Sequence, residues 1–282
     1  MDIILFHKSC VDGTASAWAA RKSLKGAYLL PGVYSQPVGE LFAKFNLSRK
    51  MNITMVDFSM SPEDLRRILL QCPETRITII DHHATAIRNL AGFSHPRVTM
   101  VLDDSRSGAY LTWQYFNPGE KVPKVIELID DSDRWQFVYP ESQAYSAWLY
   151  DNLQLSSVEK TWNDWDAYND ALDAGRKIIF ERNKTIEDAA LKAKPITVGG
   201  VPGLICPSPS REVVSVLGNI LANKVGTFAV VWGRRLNGDY ACSFRSAGTV
   251  LVDAMAERFG GGGHPYAAGC VVKNLGQLES TG

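Results

Sequence analysis

The runs DIILF, ITMVDF and RITIIDHH each pass from aliphatic side chains straight into polar ones, ending at His7 to Asp12, at Asp57 and at Asp81 to His83. Short apolar runs rich in Ile and Val read as buried strands. Between them, GTASAWAARKSL carries Ala, Trp and Leu at helical spacing. SMSPEDLRRILLQC starts as a helix should: Ser61 can cap, Pro62 suits the first turn, and Glu63 and Asp64 favour its positive end. Strands alternating with helices predict an α/β fold built on a parallel sheet. In such a sheet the carboxyl ends of the strands line the ligand crevice, so the three polar clusters are expected to meet there.

Further along, residues 141–193 contain SSVEKTWNDWDAYNDALDAGRKIIFERNKTIEDAALKA, helix-rich and polar enough to act as a connector. Beyond it ITVGGVPGLIC, TFAVVWGRRLNGDYACSFR and AAGCVVKN read as strands, with Asn237-Gly238 as a two-residue hairpin signal. Helices are expected over 210–224 and within 248–259. The organisation predicted is a domain over 1–140, a helical connector over 141–193 and a smaller α/β domain over 194–282.

Thirty Lys plus Arg balance thirty Asp plus Glu, so no overall basic field exists to hold long nucleic acid through its phosphates. A small anionic substrate needs only a local positive pocket. Five cysteines, scattered and without CxxC spacing, fit neither a disulfide framework nor a zinc knuckle and point to a reducing compartment. The apolar start of MDIILFHKSC is broken by His7 and Lys8, and no run approaches the ~20 apolar residues of a membrane span. A cytoplasmic location without membrane contact is expected.

Asp and His together hold borderline divalent metals, and such a cluster fits manganese, iron or zinc better than calcium. Two ions about 3.5 to 4 Å apart need a bridging carboxylate and activate water for in-line attack at phosphorus. Asp57, alone at its strand end, is the candidate bridge. His7, Asp12, Asp81, His82 and His83 offer the other donors, with a fourth acidic cluster, Asp130, Asp131 and Asp133, in ELIDDSDRW.

Taken in order, FHKSCVDG, VDFS, IDHH, IDDSDRW and finally GGGGHPYAAG resemble the motif series of the DHH phosphoesterase family with its DHH-associated C-terminal domain, the nanoRNase or oligoribonuclease-like phosphohydrolases. The resemblance runs from His7 to Gly269. It implies two divalent ions, usually manganese, at the strand ends, with the active site in a cleft beneath the C-terminal domain. Carried over by motif, His7, Cys10 and Asp57 would hold one ion, and Asp12, Asp57, His82 and Asp131 the other. His83 would act catalytically beside Asp57, near the leaving group or a phosphate oxygen, with Asp81 behind a histidine to fix its tautomer. Arg245 would clamp phosphate, while Gly261, Gly262, Gly263 and His264 would bind substrate. The first motif departs from the family pattern, having Lys8 and Cys10 where acidic residues are frequent. A neutral thiol is a poor manganese ligand, and a small apolar residue under a turn is the alternative for Cys10.

The reaction implied is hydrolysis of phosphodiester bonds in short oligonucleotides or in linear or cyclic dinucleotides. The competing readings are a nucleotide-sensing module with an impaired first metal site, and a phosphomonoesterase acting on small nucleotides such as phosphoadenosine phosphate. The sequence leaves the oligomeric state open, a homodimer included.

Overall fold

The computed structural model describes residues 1–33, 36–45, 50–210 and 213–279. The chain divides into two units, Met1–Ile179 and Phe180–Gly282. In the first, strands β1 (Asp2–His7), β2 (Tyr28–Gly32), β3 (Asn52–Val56), β4 (Arg76–Asp81) and β5 (Val98–Leu102) form one sheet in the order β2-β1-β3-β4-β5. Every neighbouring pair in it is parallel. The expected strands are β1, β3 and β4, the three central ones. The sequence reading did not pick out β2 and β5, which are the edges. Pro31 sits in β2, where its missing N–H can face away from the ladder.

Helices cross over between strands: α1 (Val11–Ser23), α2 (Val38–Leu41), α3 (Pro62–Gln71) and α4 (Ala84–Leu90). Ser61 caps α3 as expected, its hydroxyl accepting from the Asp64 N–H at 3.1 Å. The central strands bury both faces, which is why their sequences are almost continuously apolar. Ile3, Leu5, Ile53, Met55, Ile77 and Ile79 face one core with Leu65 and Ile68 of α3, while Ile4, Val56 and Ile80 face the other with Ala17 and Ala20 of α1. Strand order reverses direction at β1, so the crevice at the carboxyl ends of β1 and β3 is the topological switch point.

Five more helices follow: α5 (Gly108–Phe116), α6 (Lys124–Asp133), α7 (Ser142–Asp151), α8 (Leu155–Asn163) and the 26-residue α9 (Trp165–Ala190). Here the structure departs from the expected connector. Tyr145 and Leu149 of α7, Val158 of α8, and Tyr168 and Leu172 of α9 share one core with Trp18 of α1, Trp113 of α5 and Ile129 of α6. Residues 141–179 therefore belong to the first unit, and the division between units falls inside α9. Ile186 and Ala189, near the end of that helix, pack instead with Leu217 and Val231 of the second unit. Polar exposed faces on these helices concealed the apolar stripe from a reading of composition.

The second unit holds β6 (Lys194–Val198), β7 (Val201–Pro207), α10 (Val214–Val225), β8 (Phe228–Arg234), β9 (Tyr240–Ser246), α11 (Val252–Glu257), β10 (Gly262–His264) and β11 (Ala267–Val272). Its sheet runs β10-β11-β9-β8-β7-β6 and is antiparallel except where α10 crosses over between β7 and β8. The helix expected over 210–224 is α10; residues 211 and 212 lie outside the described ones. The hairpin at Asn237-Gly238 forms between β8 and β9 with Gly238 at a φ of 91°, but five residues, 235–239, separate the strands where two were expected. Among the described residues no helix is long and apolar enough to cross a membrane.

The packing of α7 on α9 has a direct test. A Cβ on Gly175 would lie 1.9 Å from the Ala144 backbone oxygen. Ala normally gains about 1 kcal/mol over Gly inside a helix, whereas overpacking against backbone costs about 1 to 3 kcal/mol or more. Gly175→Ala is therefore expected to lower the denaturation midpoint of the full chain. An unchanged or raised midpoint would show that the two helices do not pack this closely.

Candidate metal centre

Four segments bring their polar ends together. His7 closes β1; Cys10 precedes α1, which carries Asp12 in its first turn. Asp57 follows β3, with its N–H on the Ile80 carbonyl at 2.9 Å and a φ of 50°, a region that L residues rarely occupy. His82 and His83 follow β4, and Asp133 ends α6.

Asp57 is the centre of the group. It is 0% exposed, and neither carboxylate oxygen receives a hydrogen bond of acceptable angle. Its Oδ1 nevertheless lies 3.2 Å from His82 Nε2 and 3.7 Å from His83 Nδ1, and its Oδ2 lies 3.6 Å from His7 Nδ1. His82 Nε2 is further flanked by Asp12 Oδ2 at 3.5 Å and Asp133 Oδ2 at 3.6 Å. Three carboxylates thus surround one ring nitrogen. Donor atoms fall into three sets, each mutually within 4.8 Å: His7, Cys10 and Asp57; Asp57, His82 and His83; Asp12, His82 and Asp133.

The carboxylates are held in place by backbone. Asp12 accepts from the N–H groups of Gly108 at 2.7 Å and Ala109 at 2.9 Å, the positive N-terminal end of α5. Close approach requires glycine at two places. A Cβ at Gly108 would lie 2.7 Å from Asp57 Cβ, and one at Gly13 would lie 2.3 Å from the His7 carbonyl oxygen. Asp130 fixes the start of α5, accepting from the Ser107 N–H at 2.7 Å and from Arg106 at 3.0 Å. Asp81 lies with Oδ1 2.8 Å from His83 Nδ1 and also accepts the His83 backbone N–H at 3.2 Å. An ionised Asp81 requires the proton on Nδ1, and the same contact raises the proton affinity of His83.

Asp131 does not join the cluster. Its carboxylate is spent on the loop after α6, accepting from the N–H groups of Val138 and Tyr139 and from the Ser142 hydroxyl at 2.8, 3.0 and 2.6 Å. In IDDSDRW the carboxylate that reaches the cluster is that of Asp133, not the expected Asp131. Helical spacing explains the change: Asp133 sits at the last turn of α6, two residues and about 200° round from Asp131. Gly108 was also missed, although SRSGAY, a capping serine before a glycine, was its available signal.

Electrostatics follow from burying anions beside imidazoles. Burial alone would push Asp57 up, but His7 and His82 outweigh it and hold the acid at about 2. Burial would likewise lower His82; the neighbouring Asp57, Asp12 and Asp133 raise it to about 9. Asp12 is pushed well above the usual carboxylate range by burial, then by Asp57 and Asp133. Cys10 is pushed up by burial first and by Asp57 and Asp12 next. Asp12 and Cys10 are thus disfavoured as anions by burial and by the neighbouring acids, which a bound cation would relieve. The donor set of carboxylate, imidazole and thiol fits a divalent ion.

The residues expected to bind substrate lie in the second unit. Arg245, Ala267 and His264 stand in one row across β9, β11 and β10, and so share a sheet face. The Arg245 stem packs on Gly218 of α10; its guanidinium donates to the Phe244 carbonyl and the Ser215 hydroxyl, each at 2.8 Å. The glycine run is a short edge strand rather than a free loop. A Cβ on Gly261 or Gly263 would strike β11, at 2.1 Å from the Gly269 oxygen and 2.6 Å from the Ala267 oxygen, whereas one on Gly262 would meet nothing. Two of these glycines are required by packing within the protein.

Residues 205–281 match the family model described as the DHHA1 domain. The matched residues lie within the second unit. The DHH resemblance of the motif series is thus met independently at its C-terminal end. The chain is 29% identical over 294 residues to the uncharacterized protein R106 of Acanthamoeba polyphaga mimivirus, covering 98% of this chain and 68% of that protein. Its fold is shared with a pGpG-specific phosphodiesterase, PggH, of Vibrio cholerae, at 12% identity and a TM-score of 0.59 over 96% of this chain and 93% of that one. An uncharacterized Helicobacter pylori G27 protein aligns at 14% identity and a TM-score of 0.49, over 100% of this chain and 95% of the other.

The charge balance sets a pH dependence for the cluster in metal-free protein. His82 is raised from 6.5 to about 9, so the stability it contributes is complete below pH 6.5 and lost as pH rises through 9. Asp12, also raised, acts in the same direction. Chelator-treated protein is expected to lose thermal stability between pH 6.5 and 9, by at most roughly 3 to 4 kcal/mol from His82, and added divalent metal should restore it. A midpoint that rises over this range in the metal-free protein would contradict the arrangement.

Proposed function

We propose that this protein is a metal-dependent phosphodiesterase of the DHH type, cleaving short oligonucleotides or linear or cyclic dinucleotides. The observation that carries this reading is Asp57: a fully buried carboxylate without a hydrogen bond, ringed by imidazoles and further carboxylates. A buried carboxylate costs many kcal/mol unless positive charge offsets it; the imidazoles, His82 foremost, do so in the metal-free protein, and a bound cation would do so more strongly. His7, Cys10 and Asp57 would hold one divalent ion, and Asp12, His82 and Asp133, with Asp57 shared, a second. Carboxylate and imidazole donors suit manganese. When bound, such ions supply Lewis acidity and lower the pKa of water.

The protein's own residues then position the substrate and move its protons. The N–H groups at the start of α5 orient Asp12 so that its remaining lone pairs face the centre. His83, anchored through Nδ1 by Asp81 and raised in proton affinity by it, would serve the leaving oxygen or a phosphate oxygen as a proton donor. Arg245 has donors beyond the two engaged by Phe244 and Ser215, and these with His264 would grip phosphate. The dinucleotide substrate of the structurally similar Vibrio protein is consistent with this size class.

Two outcomes are expected. Asp57→Asn and Asp133→Asn should each abolish manganese-dependent hydrolysis while leaving the circular dichroism of the fold unchanged. Asp131→Asn should lower thermal stability and leave metal affinity near normal, because its carboxylate serves the loop at Val138 to Ser142. Near-normal turnover by Asp57→Asn would remove the basis of the reading.

Substrate length is the second. A formal net charge of zero gains little from the counterion release that drives binding to long polyanions. Specificity constants should therefore be highest for di- to tetranucleotides and fall with length. Arg245→Ala should weaken binding by roughly 2 to 5 kcal/mol if the phosphate is buried against it. Faster processive degradation of long RNA or DNA would refute the length preference.

A further inference from the structure

The two donor sets that would hold ions are chemically unlike. His7, Cys10 and Asp57 offer nitrogen, sulfur and oxygen within 4.8 Å of one another, whereas Asp12, His82 and Asp133 offer oxygen, nitrogen and oxygen within the same limit. The sulfur does not stand alone. Asp57, 0% exposed and with both oxygens lacking hydrogen bonds, shares its set. Cys10 itself stands at the N-terminus of α1, next in the chain to the strand end that carries His7.

We propose that the His7, Cys10 and Asp57 position is selective for a thiophilic divalent ion of the zinc, cobalt(II) or iron(II) class, leaving manganese to the Asp12, His82 and Asp133 position. Thiolate ligands select zinc and its neighbours, while oxygen-rich sets suit manganese, which also stands lowest in the general affinity order of the divalent series. On binding, the Sγ–H bond of Cys10 breaks, the sulfur electron pair passes to the ion and the proton leaves to solvent. The centre then requires two different ions for full occupancy. This inference rests on the reading of the cluster as a metal centre and adds the identity of one ion to it.

The test uses full-length protein stripped by chelator: the native chain, Cys10→Ser and Cys10→Asp, each checked for native circular dichroism. Each is titrated with cobalt(II) alone and followed by absorbance. The native chain should develop a thiolate-to-cobalt charge-transfer band in the near ultraviolet together with visible ligand-field bands; both variants should keep ligand-field bands and lack the charge-transfer band. In competition titrations, the preference for zinc over manganese should fall at least roughly tenfold in Cys10→Asp, no less than the loss that follows removal of a supporting partner. Ligand-field bands without a charge-transfer band in the native chain, or an unchanged zinc-to-manganese preference in Cys10→Asp, would overturn the proposal while leaving the metal centre standing. Failure of the native chain and Cys10→Asp alike to bind cobalt(II) or manganese would overturn the metal centre itself and this inference with it.

Discussion

Asp57 leaves β3 with its backbone turned to a φ of 50° and enters a pocket that water does not reach, where no N–H is supplied to either oxygen. Almost everything around it can be understood as the means of holding that anion in place. Parallel pairing of β3 between β1 and β4 fixes the backbone on both sides. The glycines at 13 and 108 remove side chains that would otherwise occupy the space around the carboxylate. His7, His82 and His83 contribute nitrogen lone pairs or partial positive charge, and their opposition to burial keeps Asp57 ionised. Strain in the backbone, unpaired oxygen and crowded acids all occur at one point, which is how functional chemistry is distinguished from ordinary core packing.

The acids near Asp57 divide into two classes by what they hold. Asp12, Asp57 and Asp133 face one imidazole nitrogen, that of His82, and raise its proton affinity. Asp81, Asp130 and Asp131 instead accept hydrogen bonds from the protein itself: Asp81 from His83, Asp130 from the start of α5, and Asp131 from the loop that follows α6. Neither residue type nor hydrogen bonding separates the classes, since Asp12 also accepts from Gly108 and Ala109; a carboxylate oxygen turned to His82 does. In the second unit the glycine run shows the same division, since packing of β10 on β11 accounts for Gly261 and Gly263, while Gly262 is left with open space on its Cβ side.

Much of this was legible in the order of residues. Period and composition mark β1, β3 and β4 because both faces of a central parallel strand must be apolar, and they mark α3 because Ser61, Pro62 and Asp64 are local capping signals. The edge strands β2 and β5 lack that signature, being covered less completely. Helices α7 and α8 read as connector because their polar residues are spread along the sequence, although Tyr145, Leu149 and Val158 lie on one buried side.

The sequence by itself determined the alternation of strands and helices, the strand-end positions of His7, Asp57, His82 and His83, and the ordered series of motifs whose C-terminal member matches the DHHA1 domain. These are local facts, set by side-chain periodicity and by residues adjacent in the chain. Only the tertiary structure decided that Asp133 and not Asp131 reaches His82, that Gly108 and Ala109 hold Asp12 from 96 and 97 residues away, and that the first unit extends through α7, α8 and half of α9. Each of those depends on the direction in which a helix presents a side chain to an element distant in sequence. That direction is set by packing, which no local pattern encodes.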